Sequence, residues 1–486
     1  LSLSLSLSLQ SWLATIKEPT NYQASSHTHA SPEANLDLEW VYGYSAQDQR
    51  NNLRYCLNDS NGKTRIVYPA AALAIVYNPA THTQQFYHGH DDDITALTMP
   101  PGGDVCATGQ LGREPSIHVW KPISDKGLDD AGPSTHSTLS GFHHRGISQL
   151  AFSPKGDKLA SVGMDDDHSI AIYNWRQSKL IASGKGDKSK FFACAFVPNT
   201  GELVCVGKKV IKFFSISGRG LKSRRGIIGK KGKIQSYLCI GFSGNSLVVG
   251  CADGSLYLFK GHKLAKVVKN AHNKAVVALF STPEALLSGG RDGTIQWWNT
   301  SLKRAGERIS LEEDWFDCED HRIASVCFAH EGVGEGKRAL VGTRSGEIFE
   351  IDTSEGSKSE AGATGGEGTG GGRTYVHRIA KAHYKGELWG LATHPHKHYF
   401  VTCGDDKKIR LWDANLRRQL KMKELPLKAR AAAVSPDGSR IAVALFDGKV
   451  CVLDGDLKFI KYVKVCCRRR CLSLFVVVVV VHSGVL

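Results

Sequence analysis

The stretch Ser288-Gly-Gly-Arg-Asp-Gly-Thr-Ile-Gln-Trp-Trp-Asn299 decides the fold. It compresses the end of one strand, a tight turn and a second strand ending in Trp-Trp-Asn. Thr402-Cys-Gly-Asp-Asp-Lys-Lys-Ile-Arg-Leu-Trp-Asp413 repeats the same order of hydroxyl, glycine, turn aspartate, apolar strand and Trp-Asp. Asp253-Gly254, Asp292-Gly293 and Asp447-Gly448 supply turns whose backbone angles few other residues adopt. Working outward, weaker copies end at Trp120, Tyr173, Phe214, Phe259, Glu350 and Leu453. Matching slots lie mostly 39 to 53 residues apart, with one longer gap from 350 to 412. A period in the low forties with several strands per unit is the signature of a WD-repeat β-propeller. The expected fold is all-β, a propeller of seven or eight blades, with one complete propeller plus the start of a second as the other arrangement.

A full WD repeat carries a His before its inner strand, a Ser or Thr, a turn Asp and the Trp. Such residues hydrogen-bond in a chain that satisfies polar groups buried by blade packing. The fullest sets are His272, Ser288, Asp292, Trp298 and His383, Thr402, Asp406, Trp412. His-Asp pairs also suit acid–base catalysis, but pairs that recur from blade to blade read as structural fasteners.

Composition bounds the rest. Of 486 residues, 41% are apolar and 22% charged, as in folded globular proteins. The net charge of +15 points to an acidic partner: protein, nucleic acid or membrane surface. Thirteen cysteines follow no framework, and Cys194, Cys239 and Cys327 sit in apolar runs, so buried thiols in a reducing cytosol are expected. Residues 1–35 are low in complexity, with a Leu-Ser alternation like a translated dinucleotide repeat, and are expected to be disordered or artefactual. Residues 465–486 hold Cys467, Cys471 and a valine run. The apolar stretch from Leu472 to Val481 falls short of the roughly 20 residues a membrane span needs, so this tail is expected not to be native. Residues 353–373 are rich in Gly, Ser and Glu and are expected to be a flexible loop. They separate blades over 91–352 from further blades over 374–464.

Residues 36–90 precede the first repeat and do not follow its pattern. Trp40, Tyr42, Tyr44, Tyr55, Tyr68, Tyr77 and Phe86 are spaced for extended, packed strands, with Gly62 fitting a hairpin turn. The strings Trp40-Val-Tyr-Gly-Tyr44, Arg50-Asn-Asn-Leu53, Phe86-Tyr-His-Gly-His90, Ala107-Thr-Gly-Gln-Leu-Gly112 and Ile117-His-Val-Trp120 resemble the HELP motif and WD repeats of the echinoderm microtubule-associated protein-like family. The likeness runs over about residues 36–455 and is closest to the long, multi-unit members. It implies a HELP segment packed into the propeller core, two propellers side by side, and tubulin or microtubules as partner, in the cytoplasm and on the cytoskeleton. No heptad repeat precedes residue 36, so the family's coiled coil and basic arm are not read here. If the ring were one larger propeller, the blades after Lys381 would complete it.

The candidate partner-binding segment is Arg219, Lys222, Arg224, Arg225, Lys230, Lys231 and Lys233, which holds no acid. It is expected to form an outer strand and the loop after it, gripping an acidic tail or a phosphate backbone. A solvated basic edge that resists aggregation is the plainer reading. Arg291, Arg344 and Trp389 lie near blade turns, with Trp389 expected in the core. Other proteins would bind through the propeller faces. His394, His396 and His398 are read as alternating on a strand, without a further metal-ligand group. Gly226-Ile-Ile-Gly-Lys-Lys231 lacks the spacing of a P-loop. Asn58 and Asn299 open glycosylation triplets that carry no meaning in the cytosol. No nucleophile elbow or carboxylate pair stands out. The reading is a non-enzymatic scaffold without cofactor, metal, membrane or small-molecule substrate. The alternative is a basic propeller in an RNA-associated or other multiprotein assembly.

Overall fold

The computed structural model describes residues 37–56, 64–123, 132–283, 285–312, 318–328, 338–352 and 375–464. The chain divides into two compact units, residues 1–39 and 40–486, and every strand belongs to the second. The expectations for residues 1–35, 353–373 and 465–486, for Gly62 and for the Asn58 triplet lie outside the described residues.

The described residues build nine four-stranded antiparallel blades, two of them joined by a single parallel pair between Ser183 and Gly220. In chain order blades 1 to 9 span 54–87, 94–139, 147–184, 191–225, 237–268, 276–310, 323–380, 388–424 and 429–464. Within each blade the strands run outward in sequence order. Second strands such as Leu203–Gly207 are buried throughout and read as continuous apolar runs. Outer strands such as Gly220–Arg225 meet water, which is why that sequence tolerates Lys and Arg.

The core lies between blades. Val204, Phe213, Tyr237 and Val249 pack between blades 4 and 5, and Ala278, Trp297, Val326 and Phe349 between blades 6 and 7. Each such side chain contributes about 1.5–3 kcal/mol on burial. Inner strands of successive blades stand against one another from blade 2 to blade 7, and Ile323–Phe328 of blade 7 then meets Arg54–Cys56 of blade 1. The Asn51 N–H donates to the Ala324 carbonyl across that junction at 3.3 Å. Seven blades therefore close a ring. Blades 8 and 9 pack on each other through Val401, Leu411, Ile441 and Val443, outside it.

Three readings of the repeat need correction. Blades after Lys381 do not complete one larger ring, because blade 1 already seals blade 7. The eight repeat slots are blades 2 to 9, and the HELP-like segment supplies a whole additional blade. Its aromatics bury against blade 7: Tyr44, Tyr55, Tyr68 and Tyr77 share a cluster with Ala324, Leu340 and Ile348. In blade 7 the Trp slot belongs to Ile351, paired with Ala339, and not to Glu350. Glu350 faces the opposite side, where the Tyr55 hydroxyl donates to it at 2.6 Å.

A bulge recurs one residue into the inner strands of blades 2 to 9, at Thr95, Ser148, Phe192, Leu238, Val277, Ala324, Trp389 and Arg430. A bulge breaks the alternation and re-aims the extra side chain. Trp389 is consequently 52% exposed, against the expectation of a core position, with the Arg430 guanidinium 4.5 Å from its ring centroid. At the Asp-Gly turns, Gly254 has φ +84°, and a Cβ there would stand 2.2 Å from the His272 carbonyl oxygen. Only glycine fits that approach.

Candidate interaction surface and its supporting networks

The two fullest networks form within blades 6 and 8. His272 Nε2 lies 2.7 Å from Ser288 Oγ, which accepts from Trp298 Nε1 at 2.8 Å, while His272 Nδ1 faces Asp292 Oδ1 at 3.2 Å. His383 contacts Thr402 Oγ1 at 2.8 Å and Asp406 Oδ2 at 2.7 Å, and Trp412 Nε1 donates to Thr402 Oγ1 at 2.7 Å. Both nitrogens of each imidazole are engaged within its own blade, which leaves no ring nitrogen to serve a substrate. Burial pushes the Asp292 carboxyl up, but hydrogen bonds and charge from His272 outweigh it and hold it well below the usual carboxylate range.

Two further networks escaped the sequence reading. In blade 2, His90 Nε2 lies 2.6 Å from Thr108 Oγ1, and Trp120 Nε1 donates to the same hydroxyl at 3.0 Å. Gln110 takes the place of the carboxylate there, 2.6 Å from His90 Nδ1. In blade 3, His143 Nε2 lies 2.6 Å from Ser161 Oγ, and Tyr173 fills the Trp slot. The His-to-hydroxyl spacing, 18 residues in both, was the available signal, obscured by Gln110 in place of the Asp in blade 2 and by Tyr173 in place of the Trp in blade 3.

These histidines predict an acid limb. Burial depresses His90 and His143 to about 4 from the usual 6.5. Between pH 6.5 and 4 the unfolded chain binds protons that the native state does not, so stability falls as pH falls. The two together account for several kcal/mol, to order of magnitude. Urea unfolding from pH 7 to pH 4.5 should show this slope, and His90→Asn with His143→Asn should flatten it. An unchanged slope in that variant would refute the assignment.

The basic segment falls on the rim. Lys222, Arg224 and Arg225 lie on the outer strand of blade 4, Arg219 just before it, Lys230 and Lys231 in a short 3-10 turn, and Lys233 beyond, all exposed. Backbone bonds stitch this loop to blade 5: the Ile227 N–H donates to the His262 carbonyl at 2.7 Å, and Leu264 N–H to the Ile227 carbonyl at 2.8 Å. The result is a groove of about 480 Å³ lined by Arg224, Arg225, Ile227, Lys260, His262 and Lys263. Lys260 and Lys263, on the turn Lys260-Gly-His-Lys263, were missed because their proximity is set by blade packing. Lys230 and Lys231 do not line the groove. Glu202 is the acid at its margin, 3.1 Å from His262 Nε2.

Arg291 and Arg344 sit on blade turns at one end of the ring, each donating its N–H to the carbonyl preceding the neighbouring inner strand. His394, His396 and His398 occupy a turn and not a strand face, with His394 Nδ1 accepting from the His396 and Lys397 N–H groups at 3.1 Å. Among the described residues no cluster of three His, Cys, Asp or Glu is placed to hold a metal. Among them, too, no helix is long and apolar enough to cross a membrane.

A closed seven-bladed ring with His–Ser/Thr–Trp fasteners and a cationic rim groove defines the class: a WD-repeat β-propeller protein. The profile described as "Echinoderm microtubule-associated protein first beta-propeller" matches residues 83–351, the HELP motif residues 31–75, and the "WD domain, G-beta repeat" residues 374–413. The chain belongs to the echinoderm microtubule-associated protein family. It is 29% identical to the 77 kDa echinoderm microtubule-associated protein of Lytechinus variegatus, over 88% of this chain and 61% of that protein. It is 29% identical to echinoderm microtubule-associated protein-like 2 of Mus musculus, over 87% and 61%. It is 30% identical to echinoderm microtubule-associated protein-like 1 of Mus musculus, over 88% and 49%. The chain thus spans about three fifths or less of the length of these relatives.

Proposed function

We propose that this chain is a non-enzymatic cytoskeletal adaptor of the cytoplasm that binds tubulin or microtubules, with the rim groove between blades 4 and 5 as a principal contact. One observation carries the reading. Arg224, Arg225, Lys260 and Lys263 converge on one groove, and none of them is ion-paired among the described residues. Unpaired cations on a rigid scaffold steer and hold an acidic protein surface, and their effect weakens with salt. The names of the relatives, all microtubule-associated, favour tubulin as that surface. The groove holds an isoleucine and the His262 imidazole but no Phe, Tyr or Trp, so it lacks the broad stacking platform that single-stranded nucleic acid prefers.

Reversing Arg224, Arg225, Lys230 and Lys231 to glutamate should weaken co-sedimentation with microtubules, or co-elution with soluble tubulin, by about tenfold or more at low salt. The difference should shrink as salt rises. Equal affinity of the variant and the parent chain would remove the segment from the mechanism.

A further inference from the structure

Around one end of the seven-bladed ring a single hydrogen bond repeats. The residue following the second strand donates its N–H to the carbonyl just before the inner strand: Leu111 to Asp93 at 2.9 Å, Met164 to Gly146 at 2.9 Å, Lys208 to Lys190 at 2.9 Å, Ala252 to Ser236 at 3.0 Å, Arg291 to Ala275 at 2.8 Å and Arg344 to Arg322 at 2.8 Å. The six donors are therefore equivalent positions, one strand out from the axis, and they rim the channel mouth. Their chemistry is divided. Blades 2, 3 and 5 present Leu111, Met164 and Ala252, whereas blades 4, 6 and 7 present Lys208, Arg291 and Arg344.

The floor beneath also combines apolar side chains with a cation, but the apolar ones come from blades 4, 5 and 6. The bulge residues Phe192, Leu238 and Val277 meet there with Ala275 as an apolar plug. Arg50, on the segment leading into blade 1, reaches across the channel to blade 4 and lays its guanidinium 5.6 Å from the Phe192 ring centroid. Its Nη1 is buried and has no hydrogen-bond partner among the described residues. Burial and the charges of Arg291 and Arg344 press its pKa below the ordinary guanidinium value, so the three arginines share one electrostatic neighbourhood. A buried guanidinium nitrogen without a partner costs free energy, and because Arg50 as a whole is only half-buried, an oxyanion at the mouth that drew the guanidinium outward would relieve that cost.

We propose that this mouth binds an acidic segment of a partner protein, its carboxylates on Arg50, Arg291 and Arg344 and an aliphatic side chain against Leu111, Met164 and the plug. A half-apolar rim over an apolar floor suits such a peptide better than a compact polyphosphate, which needs polar partners on every side. The proposal rests on the protein-binding reading only in taking a protein segment as ligand, and it uses residues separate from the rim groove.

The test is fluorescence anisotropy of the full chain with a labelled peptide of glutamates flanking one leucine, at low salt. Arg291→Glu combined with Arg344→Glu, at an exposed and a half-buried position, should weaken binding by about tenfold or more. Arg50→Gln, with folding verified by circular dichroism, should do likewise. Arg224→Glu with Arg225→Glu should stay within about twofold of the parent. No saturable binding, or loss in Arg224→Glu with Arg225→Glu but not in the mouth variants, would overturn the proposal, the latter by placing the peptide in the rim groove. Inositol hexakisphosphate displacing the label far more readily than unlabelled peptide would overturn it too, by assigning phosphate as the ligand. Tubulin co-sedimentation run in parallel separates the two readings. Peptide binding without tubulin binding defeats the tubulin assignment, and the reverse defeats the mouth.

Discussion

Arg410→Ala should destabilise the junction between the ring and blade 8 by about 3–5 kcal/mol, the usual cost of stripping one partner from a buried ion pair. Arg410 is fully buried, and its Nη2 lies 2.6 Å from Glu319 Oε1 and 3.5 Å from Asp406 Oδ2. Its Nη1 donates to Gln419 at 2.6 Å. Glu319 sits on the segment entering blade 7, so the pair spans the ring and the blade beyond it; Lys408 Nζ adds a second contact at 2.6 Å. Nearby, Lys381 faces the buried Glu347 at 3.9 Å, which also accepts from Ser345 Oγ at 2.7 Å. Alanine at 410 leaves Glu319 and Asp406 desolvated with one cation fewer. Calorimetry should then show blades 8 and 9 melting ahead of the ring. Arg410→Met with Glu319→Gln should cost less than the two single changes summed, because the charges are removed together. A loss below about 1 kcal/mol for Arg410→Ala would mean that aromatic contacts alone hold the junction. Those contacts are substantial: Tyr42 lies 4.8 Å from Trp412 and 5.5 Å from Phe400, centroid to centroid.

Tyr44→Ala is expected to open the ring at its seam, at a cost of about 3–5 kcal/mol for deleting a buried aromatic. The phenol closes a triangle between blades 1 and 7. It donates to Asn52 Oδ1 at 2.5 Å and lies 2.8 Å from Ser325 Oγ, which in turn reaches Asn52 Oδ1 at 3.1 Å. Its ring rests on Gly342, where a Cβ would approach Tyr44 to 2.7 Å. Tyr44→Phe keeps the ring and removes the hydroxyl, so about 1–3 kcal/mol should be lost through unsatisfied Asn52 and Ser325. Limited proteolysis should find Tyr44→Ala cut first in the residues that precede blade 1. Equal protease resistance and an unchanged urea midpoint would show that the seam is held elsewhere in the cluster.

The repeat was legible wherever its chemistry was intact. Trp298 and Trp412 announced blades 6 and 8 because a buried indole N–H needs a hydroxyl and the hydroxyl needs a His, which leaves a fixed order along the chain. Tyr173, Phe214, Phe259 and Leu453 still marked their slots, since any large apolar residue fills the space between blades. Glu350 was off by one because a slot filled by Ile351 carries no polar signature. Blade 1 was legible as packed strands but not as a blade, for Tyr77 stands in the Trp slot without a His-Asp turn.

What the sequence determined by itself was local: strand periodicity, turn chemistry, the fasteners within one blade, and the charge of the segment from Arg219 to Lys233. Each depends on residues close along the chain or on a repeated offset. What only the tertiary structure decided was non-local. Ring closure at seven depends on Tyr44 meeting Ser325, 281 residues away. The rim groove depends on the outer strand of blade 4 meeting a turn of blade 5, and the mouth on bulges and turns of blades that meet around an axis. The physical reason is that a blade buries its faces only against its neighbours, so the sequence of one blade specifies what it must pack against but not how many blades bring the last back to the first.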